Sequence, residues 1–435
     1  MRSLSILLAS PSLIAWSLVL GSAAACVGNN DNQVADSGSG GGVGTGPLLG
    51  CAALDTIDLG PDGMAIADLD ASNLSPIVTD VFARYAAMTT PSGERIHFVA
   101  QAGVSDAKIR RAREILRMHL TDLPGAGAGA SKADVADAVS SNCGTIALFR
   151  DAGEYDIALP EVSTFDADFQ AAYVPLFGDA VVVEGSPEYL AASPAIDETF
   201  GATSVLVYRL GLRILRPAWS AQMRLASSAA QADGTFAAAG PEPYLDLDEL
   251  YIATLLGCHA GVWGHNPSGD GSARGGVYAF GSRPALEVGD LSTLQLIEDF
   301  FAPEHTFAAE ADPAFSGTFD LLYRPSVGYT NRAQYLTNVR LTGDSPAELF
   351  GAPVTSRLTG NAANNNIRGR EGDDIIDGGP GLDSAIFGAP RSEFDIENNG
   401  DGTFNVRHNV VPGLGNDLLR NVEIAVFSGG TTVQL

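Results

Sequence analysis

The sequence predicts an α+β fold, in which a helix-rich N-terminal body is followed by a short C-terminal parallel β-roll capped by antiparallel strands. Three observations predict it. Residues 360–386 fall into three rows of nine, GNAANNNIR, GREGDDIID and GGPGLDSAI, with glycines, an Asp or Asn and an apolar residue recurring in one register. Beyond them, FDIENNGDGTFNVRHN reads as a hairpin around Asp401-Gly402, with strands at Phe394–Ile396 and Phe404–Val406. Residues 51–342, finally, mix helical and strand-like stretches without the regular alternation of a doubly wound sheet.

The N-terminus is read first. Arg2, an apolar stretch from Leu4 to Leu20 and the small residues GSAAAC lay out an export signal over residues 1–25. Cleavage after Ala25 suits an ordinary signal peptidase, because Ala23 and Ala25 fit the A-x-A pattern. It would also leave Cys26 first, which resembles a bacterial lipoprotein box with Ala23 where Leu is usual. Both options stay open: an outer-membrane or cell-surface lipoprotein, touching the membrane only through a lipid on Cys26, or a secreted protein. Residues 26–50 are rich in Gly, Ser and Asn and read as a flexible linker. Outside the cytoplasm a pair such as Cys51 with Cys143 can oxidise, although the pairing among Cys51, Cys143 and Cys258 is not fixed by spacing.

The chain of 435 residues carries 52 Asp and Glu against 25 Lys and Arg, a net charge of −27. Such a surface repels polyphosphate, so nucleic-acid binding is excluded, whereas cation binding is permitted. Within the body, VSDAKIRRAREILRMHL places Ile109, Ala112, Leu116 and Leu120 on one helical stripe behind a Ser105 cap, with an arginine-rich outer face. GAGAGA at 125–130 lacks a following Lys-Ser/Thr and reads as a linker. Ser131 and Asp134 signal the next helix start. Thr145–Phe149 and Ala180–Val183 read as strands, and helices follow through AIDETFGATSVLVYRLGLRIL, AWSAQMRLASSAAQ, LDLDELYIATLLGCHAGVWGH and LSTLQLIEDFFAP.

No HExxH, G-x-S-x-G or Walker sequence occurs. The catalytic candidates reduce to Glu249, His259 and His265, with Cys258 beside them. Adjacent helical residues such as Cys258 and His259 diverge by about 100°, which does not suit a shared zinc ion.

The nine-residue rows carry the most chemistry. Against the pattern G-G-x-G-x-D-x-U-x, with U a large apolar residue, the third row matches every Gly and Asp position, with Ala385 undersized at U. The second has Arg370 in place of one glycine. The first has Asn365 in the Asp slot and Ile367 at U. Glycines let carbonyls turn toward an ion and the carboxylate adds a hard oxygen, which is the chemistry of calcium. These rows resemble the RTX (hemolysin-type) calcium-binding repeat family, and GNDLLRNVEIAVFSGGTTVQL looks like its terminal cap.

The resemblance implies a roll at residues 343–435 and calcium shared between turns eighteen residues apart. Its ligands would be Asn365 with Asp383, and Asp374 with no evident partner turn. It implies one good site and a second, weaker one. Only 11 of the 52 acidic residues fall in 360–435, so calcium accounts for little of the charge.

Residues 75–342 are similar to a group of exported bacterial proteins with the same tail, through VFARYAAMTTPSGERIHFVAQAGVSDAKIRRAREIL, GVWGH and FFAPEHTFAAEADPAFSGTFDL. That likeness implies a Glu/His-rich metal segment in one helix. Here its places hold Gly201, Val205 and Tyr208, which cannot ligate as Glu or His would. The reading is therefore an exported calcium-binding protein with a structural roll and a non-catalytic body. Two alternatives stand beside it: a secreted, metal-dependent, peptidase-like hydrolase, and an adhesion module marked by an exposed aromatic patch including Trp263.

Overall fold

The computed structural model describes residues 51–69, 74, 76–122, 132–165, 167–191, 197–238, 245–265, 270–301, 307–321 and 336–435. The export signal, Cys26, the linker, the GAGAGA stretch, Ser131 and His305 lie outside them, as does the side chain of His265.

The body is built on a mixed five-stranded sheet. Its strands, in spatial as in chain order, are β1 (Ala67–Asp68), β2 (Arg84–Thr89), β3 (Arg95–Ala100), β4 (Thr145–Phe149) and β5 (Tyr173–Phe177). The first three are antiparallel neighbours, while β3, β4 and β5 run parallel. Successive side chains of a strand point to opposite faces, and both faces here are covered. Ile96, Phe98, Ile146, Leu148, Val174 and Leu176 pack in the larger core, and Val99, Ala147, Phe149 and Tyr173 in a smaller one on the reverse face.

Before the antiparallel pair β2–β3 come α1 (Cys51–Leu54) and α2 (Pro76–Val81), and after it α3 (Asp106–His119), α4 (Lys132–Ser141), α5 (Ala152–Val162), α6 (Ala167–Ala172) and α7 (Pro187–Leu190). The helix α8 (Thr199–Val207) continues through a π-helical turn, Tyr208–Leu212, into α9 (Arg213–Leu215). Among the described residues the body closes with α10 (Pro217–Asp233), α11 (Leu247–His259), α12 (Arg283–Gly289) and α13 (Leu291–Glu298). The stripe Ile109, Ala112, Leu116 and Leu120 is buried as expected. A disulfide joins Cys51 to Cys143, and Cys258 is a buried free thiol.

Two expectations change. The strand expected at Ala180–Val183 is β5, at Tyr173–Phe177, because Gly178–Ala180 forms a 3-10 turn and leaves Val181–Val183 buried outside the sheet. The arginine-rich face of α3 is not all solvent: Arg111 and Arg113 are buried. Arg111 donates to Glu184 at 2.9 Å and pairs with Asp197 at 2.8 Å.

The C-terminal part is a flattened roll of two parallel sheets, between which the chain alternates. One holds β6 (Ala308–Glu310), β8 (Asn338–Arg340), β10 (Arg357–Thr359) and β12 (Ile375–Asp377). The other holds β7 (Gly317–Asp320), β9 (Ala347–Phe350), β11 (Asn366–Arg368) and β13 (Ser384–Ile386). From β9 onward the middle residue of each strand recurs every nine positions as Leu349, Leu358, Ile367, Ile376 and Ala385, all buried between the sheets.

The roll therefore begins upstream of the three glycine-rich rows. β6, β7 and β8, in residues the sequence reading gives to the body, pair in the same two sheets. Their registers step by thirty and nineteen residues rather than eighteen, which hides them from a nine-residue count. The roll's first strands share a core with the body, where Ile115, Met118 and Phe200 cluster with Phe307, Ala309 and Phe319.

Antiparallel strands cap the roll. β14 (Phe394–Asn398) and β15 (Thr403–His408) form the expected hairpin. β15 then pairs with β16 (Asn416–Arg420), which returns parallel to β12. On the other sheet β17 (Ile424–Val426) pairs parallel with β13 and antiparallel with β18 (Thr432–Gln434).

Candidate functional site

The turns of the roll stack along two edges. On one edge lie residues 341–346, 360–365, 378–383 and 421–423, and on the other 351–356, 369–374 and 409–415. Because the register is eighteen, Asn365 and Asp383 come together as the spacing requires. The Asp383 carboxylate accepts the backbone N–H of Asn365 at 2.7 Å, and the backbone N–H of Asp383 donates in turn to Glu423 at 2.7 Å.

Asp374 does have partner turns. Its Oδ1 accepts the N–H of Ser356 at 2.7 Å, and its own N–H donates to Asp417 at 3.0 Å. The signal for Asp417 was present in the sequence. Residues 412–420, PGLGNDLLR, are a fourth row in the pattern, with Pro412 in place of the first glycine, displaced by the inserted hairpin.

Asp383 is 0% and Asp374 1% exposed, and Oδ2 of each has no hydrogen-bond partner. Burial pushes the Asp374 carboxyl up to about 7, that of Asp383 to about 6 and that of Asp417 to about 8. Each is also raised by neighbouring acids: Asp373 and Glu371 at Asp374, Glu423 and Asp377 at Asp383, and Asp374 and Asp373 at Asp417. Glycines bring backbone into these turns. A Cβ on Gly378 would meet the Asn421 carbonyl at 2.1 Å and Asp383 Oδ2 at 2.8 Å; one on Gly369 would meet Asp374 Oδ2 at 2.2 Å.

Carboxylates and carbonyls are hard oxygen donors, and buried anionic oxygens without donors are what a bound cation satisfies. Asp383 on one edge and Asp374 on the other thus each fit a calcium ion. Asn365 is differently placed, since its Oδ1 accepts the Asn361 N–H at 2.8 Å and its Nδ2 donates to the Ala347 carbonyl at 3.2 Å. Among the described residues no group of three or more His, Cys, Asp or Glu side chains stands ready to hold a metal. A site of two carboxylates completed by backbone carbonyls falls below that count.

In the body, Glu249 and His259 do not converge. Ten residues along α11 at 1.5 Å each separate them by about 15 Å. Glu249 is buried at the helix start, where it completes a capping box with Asp246, receives Arg209 at 2.8 and 2.7 Å and pairs with Arg213 at 3.0 Å. His259 is buried at the far end with Nε2 3.3 Å from Glu298, and burial pushes its pKa down. Cys258 is buried, and burial pushes its thiol well above the usual range, the opposite of an activated nucleophile.

Gly201 packs where a Cβ would press on Ala253 of α11 at 3.1 Å, Val205 is core, and the Tyr208 hydroxyl donates to Asp248 at 2.5 Å. Trp263 is buried beneath Arg274, at 5.5 Å, and offers no exposed aromatic patch. A cavity does occur beside Arg111, Tyr189, Phe200 and Phe307. Its polar floor is the Arg111–Glu184–Asp197 ion network, where burial works against the guanidinium's charge and the two carboxylates outweigh it.

Among the described residues no helix is long and apolar enough to cross a membrane. No protein-family model matches the chain, and no curated protein does. Among solved structures, the crystal structure of extracellular lipase LipA from Serratia marcescens matches at 20% identity over 21% of this chain, with a TM-score of 0.13. The match spans 17% of the lipase chain, well under two thirds of its length.

Proposed function

We propose that this is an exported, surface-tethered calcium-binding protein of the RTX type, whose C-terminal roll holds calcium structurally and whose body is non-catalytic. One observation carries the reading: the fully buried carboxylates of Asp383 and Asp374, in glycine-rich turns at nine-residue spacing, each keep an oxygen with no donor. Calcium supplies the missing positive charge at those oxygens. Asp383 is the anionic ligand on one edge and Asp374 on the other, and the N–H of Asn365 orients the Asp383 carboxylate. Glu423 and Asp417 stand beside them from the cap.

The bound ion orders turns whose glycines lose the most backbone entropy on folding. Export and tethering rest on the apolar stretch Leu4–Leu20 and on Cys26. Metal analysis of the purified mature chain, with thermal melts in millimolar calcium against chelator, tests the function. Bound calcium and a higher melting temperature are expected; the absence of both would sink it.

A further inference from the structure

The eighteen-residue step that relates successive turns exposes an asymmetry. Asn361 and Asn365 in one turn become Gly379 and Asp383 in the next on the same edge. In the earlier turn, Asn361 Nδ2 donates to the carbonyls of Thr342 at 3.1 Å and Ser345 at 2.9 Å, and Asn365 Nδ2 donates to Ala347. Amide hydrogens of the chain therefore hold the carbonyls of the preceding turn. One step later there is no side chain at Gly379, and Asp383 Oδ2 has no donor.

The opposite edge repeats the pattern with a guanidinium. Arg370 Nη1 donates to Asp320 Oδ1 at 2.8 Å and to the Gly351 carbonyl at 2.9 Å, while Nη2 donates to Asp320 Oδ2 at 3.2 Å. Asp320 is buried, and the guanidinium lies 5.5 Å over the Phe350 ring. One planar cation thus ties together the ends of β7, β9 and β11, as only an arginine fork can. Arg370 does so from a left-handed backbone, φ 79°, a conformation that favours the glycine of the pattern. The residue is held in strain while its side chain supplies a fixed positive charge.

We infer that the upstream turns at 341–346 and 351–356 are held by substitutes for a cation that reach back from the next turn on the same edge, the Asn361 and Asn365 amides on one edge and Arg370 on the other. Calcium-dependent ordering is thereby confined to the downstream turns around Asp374 and Asp383 and the capping strands stacked on them. The inference rests on the calcium reading above and says which part of the roll that ion orders.

Hydrogen exchange read peptide by peptide on the full mature chain, in calcium and in chelator, tests it. Chelator is expected to speed exchange at least ~tenfold in residues 378–386 and 416–426, and to leave 347–350 and 357–364 unchanged. In Arg370→Gly, exchange in 347–359 should become chelator-sensitive; in Asn361→Gly the same should hold for 341–350. Calcium bound to the wild type with a uniform chelator response across the roll overturns this inference alone. No bound calcium and no response anywhere overturns the calcium reading and this inference together. The wild-type gradient decides the matter even where a variant fails to fold.

Discussion

The carboxylate of Asp383 holds the backbone N–H of Asn365, eighteen residues upstream, at 2.7 Å, and its second oxygen holds nothing. Asn365 occupies the same slot one step earlier with both amide atoms engaged. Asp383→Asn should therefore convert a cation-requiring turn into a self-sufficient one. In chelator the variant is expected to be more stable than the wild type by about 1–2 kcal/mol, since a buried unpartnered carboxylate oxygen costs that order. In millimolar calcium the order should reverse. Denaturant melts of both proteins in both buffers check the crossover; a variant less stable than the wild type in chelator would refute the account.

Much of the roll was legible because its spacing is local: an apolar residue, glycines and an Asp or Asn return every nine positions, and each strand buries one side chain. What the spacing could not show was any contact made at another distance. β6, β7 and β8 pair at steps of thirty and nineteen residues. Asp417 meets Asp374 only after a hairpin has been inserted, and Asp320 reaches Arg370 across fifty residues. Arg370 read as a defect in its row, because a sequence shows the missing glycine and not the carboxylate that receives its replacement. The helical stripe of α3 was legible for the same local reason, whereas burial of Arg111 depends on Glu184 and Asp197, which come from other parts of the chain.

Glu249 tests the body's candidate chemistry. Both its oxygens are committed to Arg209, Arg213 and the Asp246 N–H, so its role is to hold the start of α11. Glu249→Gln is expected to lower stability by about 3 kcal/mol, because two guanidinium groups lose their shared buried anion. Urea melts give the loss, and zinc content measured on the same samples should be negligible in both proteins. Stoichiometric zinc in the wild type that vanishes in the variant would return Glu249 to the metal candidates.

The disulfide between Cys51 and Cys143 closes a loop with a sequence separation of 92 residues and fastens the first helix to the chain entering β4. Reduction, or Cys51→Ser, should cost roughly 3–4 kcal/mol, mostly by freeing the unfolded chain. Thiol titration of denatured, unreduced protein adds a second readout. One thiol, that of Cys258, is expected if Cys26 is acylated as proposed. Two would place a free Cys26 in the mature chain and remove the tether.

His97 makes the body acid-sensitive. It is buried on the reverse face of the sheet with Nδ1 3.0 Å from the Tyr85 hydroxyl and Nε2 4.0 Å from Asp55. Burial pushes the pKa of the tyrosine hydroxyl up, so it stays protonated beside Nδ1. Burial, with Arg95 nearby, pushes the His97 pKa down from 6.5 to about 4. Below pH 6.5 the unfolded chain takes up a proton that the folded one refuses, so unfolding becomes easier as pH falls from 6.5 toward 4 and is unaffected by this group above 6.5. By about pH 4.5 the loss attributable to His97 should reach roughly 2–3 kcal/mol. His97→Asn keeps an acceptor for Tyr85 and removes the titration. Urea melts at neutral pH and near pH 4.5 should show the wild type losing more stability than the variant by that amount, and equal losses would mean His97 is already protonated in the folded chain.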